Sequence, residues 1–185
     1  MGIHEIKPGS PAVFLDRDGI INRAIVRDGY PYPPSCVEDL ELLPGIIASA
    51  KALVAAGYVL IGITNQPDVA RGTQSREGVQ SINVYIQAHL PIRAMMVCYH
   101  DDLDHCECRK PKPGLIIQAA REFALDLSRS WMVGDRWKDI AAGQAAGLKT
   151  IFMDNHYSER YQGSPATYTI EDAMSIVQII LKGSK

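Results

Sequence analysis

The chain has no long hydrophobic run. Its longest apolar stretches, such as Val59–Ile63 and Met95–Tyr99, fall far short of the roughly 18 residues needed to span a bilayer. No excess of charge of either sign is present. The 19 basic and 21 acidic residues leave a net charge of −2, so no global field gathers nucleic acid or an anionic membrane. Any anion the protein handles must be gripped locally. Aromatics are sparse at 7%, which, with the slight acidity, argues against the basic, aromatic-rich surface of a nucleic-acid zinc module. Met1–Ser10 carries no apolar h-region, so no secretory signal is expected and the cytoplasm is the expected location. Cysteine is limited to four residues, and three of them, Cys98, Cys106 and Cys108, crowd into eleven positions beside histidines. In a reducing compartment that crowding reads as metal ligation rather than a disulfide framework, with Cys36 left over as an ordinary buried thiol. Repeats and low-complexity tracts are also missing. What remains is 185 residues, 46% hydrophobic and 22% charged, expected to form one globular domain over 1–185. A monomer of this size can bury roughly 70% of its unfolded surface unaided.

Short apolar runs alternate with longer amphipathic ones. Ala12–Leu15, Tyr58–Thr64, Ala94–Tyr99, Trp131–Gly134 and Thr150–Met153 read as buried strands. Pro44–Ala56, Ser75 to about Leu90, Pro113–Leu125 and Trp137–Ala146 read as helices, and Thr169-x-x-Asp172 as the capping start of a last one through Leu181. Arg17–Pro44, broken by Gly19, Gly29, Pro31, Pro33 and Pro34, reads as a long ordered loop or small flap. Strands alternating with helices predict an α/β fold: a doubly wound, mostly parallel sheet with no large cap domain. Right-handed crossovers then bring all strand C-terminal ends to one edge, where such sheets bind ligands.

The polar residues of interest all follow strands. Asp16 and Asp18, at i and i+2 on extended chain, project to one side, and two carboxylates so close favour a bound cation or a shared proton. Alone, such a pair is more often a solvated acidic turn. Thr64 and Asn65 offer a hydroxyl and backbone N–H groups to phosphate oxygens, although alone they form a common strand-end turn. Arg109 and Lys110 supply a bidentate fork and a point charge. Asp135 adds a third carboxylate at the same edge, and Asp139 is placed to orient Lys110. The spacing Cys98-x-His100-x5-Cys106-x-Cys108 gives three thiolates and an imidazole, a closed tetrahedral set suited to structural Zn²⁺, with His105 inside the loop as a competing ligand.

Together, the FLDRDG run at Phe14–Gly19, TNQ at Thr64–Gln66, CRKPKPG at Cys108–Gly114 and VGDRWKD at Val133–Asp139 resemble the four motifs of haloacid dehalogenase-type phosphatases. Within these, the chain is similar to the heptose bisphosphate phosphatases and to their siblings, the histidinol-phosphate phosphatases. The resemblance implies Asp16 as nucleophile and Asp18 as general acid/base. It implies Mg²⁺ on Asp16, Asp135 and the main-chain carbonyl of Asp18, with Thr64 and Lys110 steadying the phosphoryl group. Asn65, Gln66, Arg109 and Arg136 would join them in binding a small sugar phosphate, as would Arg27, Asp28, Gly29 and Tyr30 of the flap. Asn22, Gly29-Tyr30 and Val69–Gly72 are similar to runs of the heptose enzymes, whereas Ile20 and Pro67 stand where that family usually carries threonine and serine. An amine substrate such as histidinol phosphate would call for acidic groups, and Glu38, Asp39 and Glu41 lie just after the flap. A receiver-like phospho-acceptor domain would share the sheet and the acids. It would lack both the zinc loop and the second aspartate two residues on.

Overall fold

The computed structural model describes residues 6–182, so part of the Met1–Ser10 stretch lies outside the described residues. Six parallel strands form the sheet: β1 (Ser10–Leu15), β4 (Val59–Asn65), β5 (Ala94–Cys98), β6 (Leu125–Gly134), β7 (Lys149–Met153) and β8 (Tyr168–Ile170). Their order is β5-β4-β1-β6-β7-β8. The chain therefore winds outward from β1 in both directions, and the crevice beyond the C-terminal ends of β1 and β6 is a topological switch point. Leu15 and Val133 pair across it, which sets Asp16 and Asp135 side by side.

The strands are apolar throughout because both faces are covered. Val13 and Leu15 point into one core with Trp131 of β6 and with Ile46, Leu53, Ile82 and Ile176 from α1 (Ile46–Ala55), α2 (Arg76–His89) and α5 (Met174–Lys182). Ala12 and Phe14 alternate to the other face, beside Ile61 and Ile63 of β4 and against Leu115, Ile116 and Ala142 from α3 (Gly114–Glu122) and α4 (Trp137–Ala145). Ile20 is fully buried in the first core, so the departure from threonine puts an aliphatic side chain where it packs. Among the described residues no helix is long and apolar enough to cross a membrane.

Three boundaries differ from the sequence reading. The helix expected to reach Leu125 stops at Glu122, because Ala124 adopts a left-handed φ of 51° and Leu125 opens β6 instead. Strand β6 consequently starts six residues before Trp131; Ser130 bridges the register shift, its hydroxyl accepting from Ala12 N–H at 2.8 Å. Thr169 is not a helix cap but the middle of β8, paired with Phe152. The last helix is capped at Asp172, whose carboxylate accepts from the Ser175 N–H and hydroxyl at 2.9 and 2.7 Å.

The flap has a structure of its own. β2 (Ile25–Arg27) and β3 (Tyr30–Tyr32) form a hairpin about Asp28-Gly29, both at positive φ, 52° and 79°. Asp-Gly is the residue pair such a two-residue turn demands, and it was the available signal for this hairpin. Cys36, expected to be buried, is half exposed, and its thiol donates to Asp39 Oδ2 at 3.3 Å. The loop turns Val37, Leu40, Leu42 and Leu43 to the core and leaves Cys36 outward.

Candidate active site

Asp16 leaves β1 into the crevice and is nearly fully buried. Both hydrogen bonds to its carboxylate fall on Oδ1, from Arg17 N–H at 2.8 Å and Lys110 Nζ at 2.7 Å, so Oδ2 keeps its lone pairs. Lys110 is also buried. Its ammonium donates to Ile63 O at 2.8 Å and pairs with Asp139 Oδ1 at 2.6 Å. Asn65 fixes the lysine backbone from both sides, donating to Lys110 O and accepting from Lys110 N–H. Burial works against the charged lysine, but Asp139 and Asp16 outweigh it and hold its pKa above the ordinary value. Burial raises Asp16 to about 7, and the charge of Asp139 adds to it against the pull of Lys110.

Asp18 stands apart from this ion cluster. Its carboxylate accepts from the Arg17 guanidinium at 3.0–3.2 Å, Asn22 Nδ2 at 3.1 Å and Gln66 Nε2 at 2.8 Å. Gln66 also donates to Thr64 Oγ1 at 2.8 Å. Thus Thr64, Gln66 and Asp18 are joined, though they come from two strand ends. Arg17, fully buried, is held by Asn83 of α2 as well.

Asp135 completes the acidic cluster. Ligand oxygens of Asp16, Asp135 and Asp139 lie within 4.8 Å of one another. Asp139 has no oxygen to spare, since Oδ1 holds Lys110 and Oδ2 accepts from Arg136 N–H at 3.0 Å. Asp135 Oδ1, in contrast, is buried with no partner. Burial, then the charges of Asp16 and Asp139, push the Asp135 carboxyl well above its ordinary range. Orphaned oxygen and mutually repelling carboxylates fit a hard divalent cation such as Mg²⁺. Gly19 permits this packing: a Cβ there would sit 1.7 Å from Asp135 Oδ2.

Above the cluster opens a cavity of about 260 Å³. Asp16 and Lys110 line its floor, Tyr30 and Tyr32 its flap side, and Arg71, Arg136 and Lys138 its rim. Of the expected substrate contacts, Tyr30, Thr64, Asn65, Lys110 and Arg136 line it, whereas Arg27, Asp28, Gly29, Gln66 and Arg109 do not. Arg27 lies over the Tyr32 ring. Arg109 is drawn into the Cys/His loop, its Nε donating to Asp102 Oδ1 at 2.7 Å and Nη1 to His100 O. Sequence reasoning missed Lys138 and Tyr32, and also Asn155, Tyr157 and Glu159, which reach the site from the loop after β7. No motif announces that loop.

Cys98, His100, Cys106 and Cys108 converge. The three sulfurs are 3.2–3.7 Å apart, with His100 Nδ1 3.2 Å from Cys108 and 3.7 Å from Cys98. Tetrahedral Zn²⁺ with bonds of about 2.3 Å needs sulfur separations of about 3.8 Å, so the set fits that ion. Burial, then hydrogen bonding from Cys108, pushes the Cys98 thiol up to about 12, so its thiolate needs a compensating cation. His105, at φ 47°, stays outside the cluster.

The HAD-hydrolase-like family model matches residues 107–173. A D-glycero-beta-D-manno-heptose-1,7-bisphosphate 7-phosphatase of Helicobacter pylori (strain J99) is 40% identical over 148 residues, 77% of this chain and 82% of that protein. Its namesake from Photorhabdus laumondii is 34% identical over 181 residues, 91% of this chain and 90% of its own. This chain belongs to the haloacid dehalogenase-like phosphatases. Among solved structures, the D,D-heptose 1,7-bisphosphate phosphatase of B. bronchiseptica, complexed with magnesium and phosphate, superposes with a TM-score of 0.80 at 26% identity. That match covers 94% of this phosphatase and 99% of the other chain. The phosphatase is accordingly a phosphoric monoester hydrolase, and the strand-end residues assembled here are its candidate machinery.

Proposed function

We propose that this single-domain phosphatase removes the 7-phosphate of D-glycero-D-manno-heptose 1,7-bisphosphate through an aspartyl-phosphate on Asp16. The observation that carries the chemistry is the buried Asp16–Lys110–Asp139 cluster at the floor of a cation-rimmed cavity. Asp16 Oδ2 attacks phosphorus in line as the bond to the sugar oxygen breaks, and the Asp18 carboxyl gives that oxygen its proton. Water then attacks the phosphorus of the aspartyl-phosphate and yields a proton to Asp18, and the bond to Asp16 breaks. Lys110 and Thr64 aim donors at the equatorial oxygens, where the transition-state charge lies. Asp139 keeps Lys110 charged and in place. Mg²⁺, held by Asp16, Asp135 and the Asp18 carbonyl, would offset the repulsion between carboxylate and phosphate.

The substrate reading rests on the relatives and on the rim. Arg71, Arg136 and Lys138 suit an anionic second phosphate, whereas Glu38, Asp39 and Glu41, which would favour an amine, do not line the cavity. Phosphate release with Mg²⁺ across heptose bisphosphates, histidinol phosphate and other sugar phosphates tests it. The heptose bisphosphate is expected to lead histidinol phosphate by at least about 100-fold in kcat/KM, roughly 2.7 kcal/mol. Equal or reversed values overturn the substrate assignment.

A pH-dependent response to the metal is also expected. The carboxyls of Asp16 and Asp135 have folded-state pKa values above the ordinary 3.8. Asp16 favours the fold fully below 3.8 and loses that contribution as pH rises through about 7, and Asp135 is shifted in the same direction. The metal-free protein is thus weakened near pH 8, where Asp16 is ionised beside Asp139. Mg²⁺ at about 100 times its pH 8 Kd should add roughly 2.7 kcal/mol at pH 8, some 5–10 °C in Tm, and the same concentration visibly less at pH 5.5. Equal increments in melts at the two pH values would separate the metal from these carboxyls.

A further inference from the structure

Residues 155–159 follow β7 and touch three parts of the site at once. Asn155 Nδ2 donates to Gly19 O at 3.0 Å, to Asp135 Oδ2 at 3.3 Å and to the Tyr157 hydroxyl at 3.2 Å. Tyr157 thereby holds the Asn155 amide, and the two line one small cavity with Asp135. Glu159 takes the Arg136 guanidinium bidentately, Nε and Nη2 each at 2.6 Å, at the cavity rim. Ser158 N–H donates to Gly29 O at 2.8 Å, in the turn of the flap hairpin.

We propose that residues 155–159 form a positioning arm: Asn155 and Tyr157 orient Asp135 toward the cation, Glu159 sets Arg136, and Ser158 anchors the flap above them. The geometry at Asp135 carries it. One oxygen, Oδ2, is held by the arm, and the other, Oδ1, is buried and left without a partner. A carboxylate fixed at one oxygen presents the other in a single direction, which is how outer hydrogen bonds order a metal ligand. Gly19 O, held by the same amide, belongs to the loop that follows Asp18, so the arm joins the ends of β1 and β6. Glu159 fixes the Arg136 guanidinium in one plane from its Nε–Nη2 side, which presents Nη1 to a substrate phosphate at the rim.

This arm rests on the Mg²⁺ reading of the acidic cluster, and calorimetric titration with Mg²⁺ alone separates the two. Wild-type protein should bind one Mg²⁺, and Tyr157→Phe, which deletes only the hydroxyl, should weaken that binding about 10-fold or more. Asn155→Ala should do the same through a different contact, so one poorly folding variant does not remove the test. The metal-free melting temperature of Tyr157→Phe should stay near that of the wild type. Glu159→Gln should raise KM for the heptose bisphosphate several-fold with little change in kcat, leaving Mg²⁺ affinity intact. Wild-type Mg²⁺ affinity in both Tyr157→Phe and Asn155→Ala overturns the arm and leaves the metal reading standing. No Mg²⁺ bound by the wild type itself overturns the metal reading, and the arm with it.

Discussion

Replacing Asp16 by asparagine should lower turnover by at least about 10⁴-fold while the protein stays folded, because the amide keeps the shape and loses the nucleophile. The surroundings make this a clean substitution. The amide oxygen can still accept from Arg17 N–H and Lys110 Nζ, the two donors now on Oδ1. Lys110 keeps Asp139 at 2.6 Å and Ile63 O at 2.8 Å, so its charge remains compensated. One buried negative charge is removed from a cluster in which burial and Asp139 already hold the Asp16 carboxyl near 7. The metal-free variant should therefore melt at or above the wild-type temperature at pH 8. Loss of activity without loss of stability separates a chemical role from a structural one. The check is phosphate release with Mg²⁺ present, paired with thermal melts without it. More than about 1% residual activity would move the nucleophile elsewhere in the cluster.

The strand-end logic explains why so much of this site was legible. In a parallel α/β sheet a polar residue at the end of an apolar strand has one place to go, and Asp16, Thr64 and Asp135 go there, while Lys110 is brought back to the same edge by the Cys/His loop after β5. Asp139 was expected, alongside the roles the family resemblance implies, to orient Lys110, and the contact is present. What escaped the sequence lacks that geometry. Asn155, Tyr157 and Glu159 follow β7 in an irregular segment whose only signature is being polar. Their partners are set by how the chain folds back over β6. The short strand β8 was hidden because Thr169-x-x-Asp172 satisfies a helix-capping pattern as well as it satisfies an edge strand.

Arg109 shows where adjacency misleads. It precedes Lys110, so a role beside the same phosphate was the natural expectation. The chain turns over residues 109–112, however, and the Arg109 side chain points back to Asp102 and His100 O. The cation it was expected to supply is supplied at the rim by Arg71, Arg136 and Lys138. Of these, Arg71 is held by Asp101 and Arg136 by Glu159, while Lys138 forms no ion pair among the described residues.

Cys106→Ser should abolish stoichiometric zinc and cut thermal stability and activity together. A serine hydroxyl is a poor zinc ligand, and the remaining Cys98, His100 and Cys108 leave one tetrahedral position open. Structural zinc sites provide roughly 10–16 kcal/mol of apparent binding energy. The sheet core lies elsewhere, so much of the loss will appear as local opening of residues 98–110. If about a quarter reaches global stability, some 3 kcal/mol, Tm falls by about 6–12 °C. Activity responds through Lys110, which follows Cys108 by two residues and is clamped by Asn65, the register partner of Cys98 in β4 and β5. Near room temperature the Asn65 clamp and the ion pairs to Asp16 and Asp139 should keep Lys110 in place, so activity falls modestly. Toward the new melting point it should collapse well before the wild type does. Elemental analysis of purified wild type should find about one zinc per chain. If it finds none, and chelation leaves the melting curve unchanged, the four residues are not a zinc site and the loop holds Lys110 by hydrogen bonds alone.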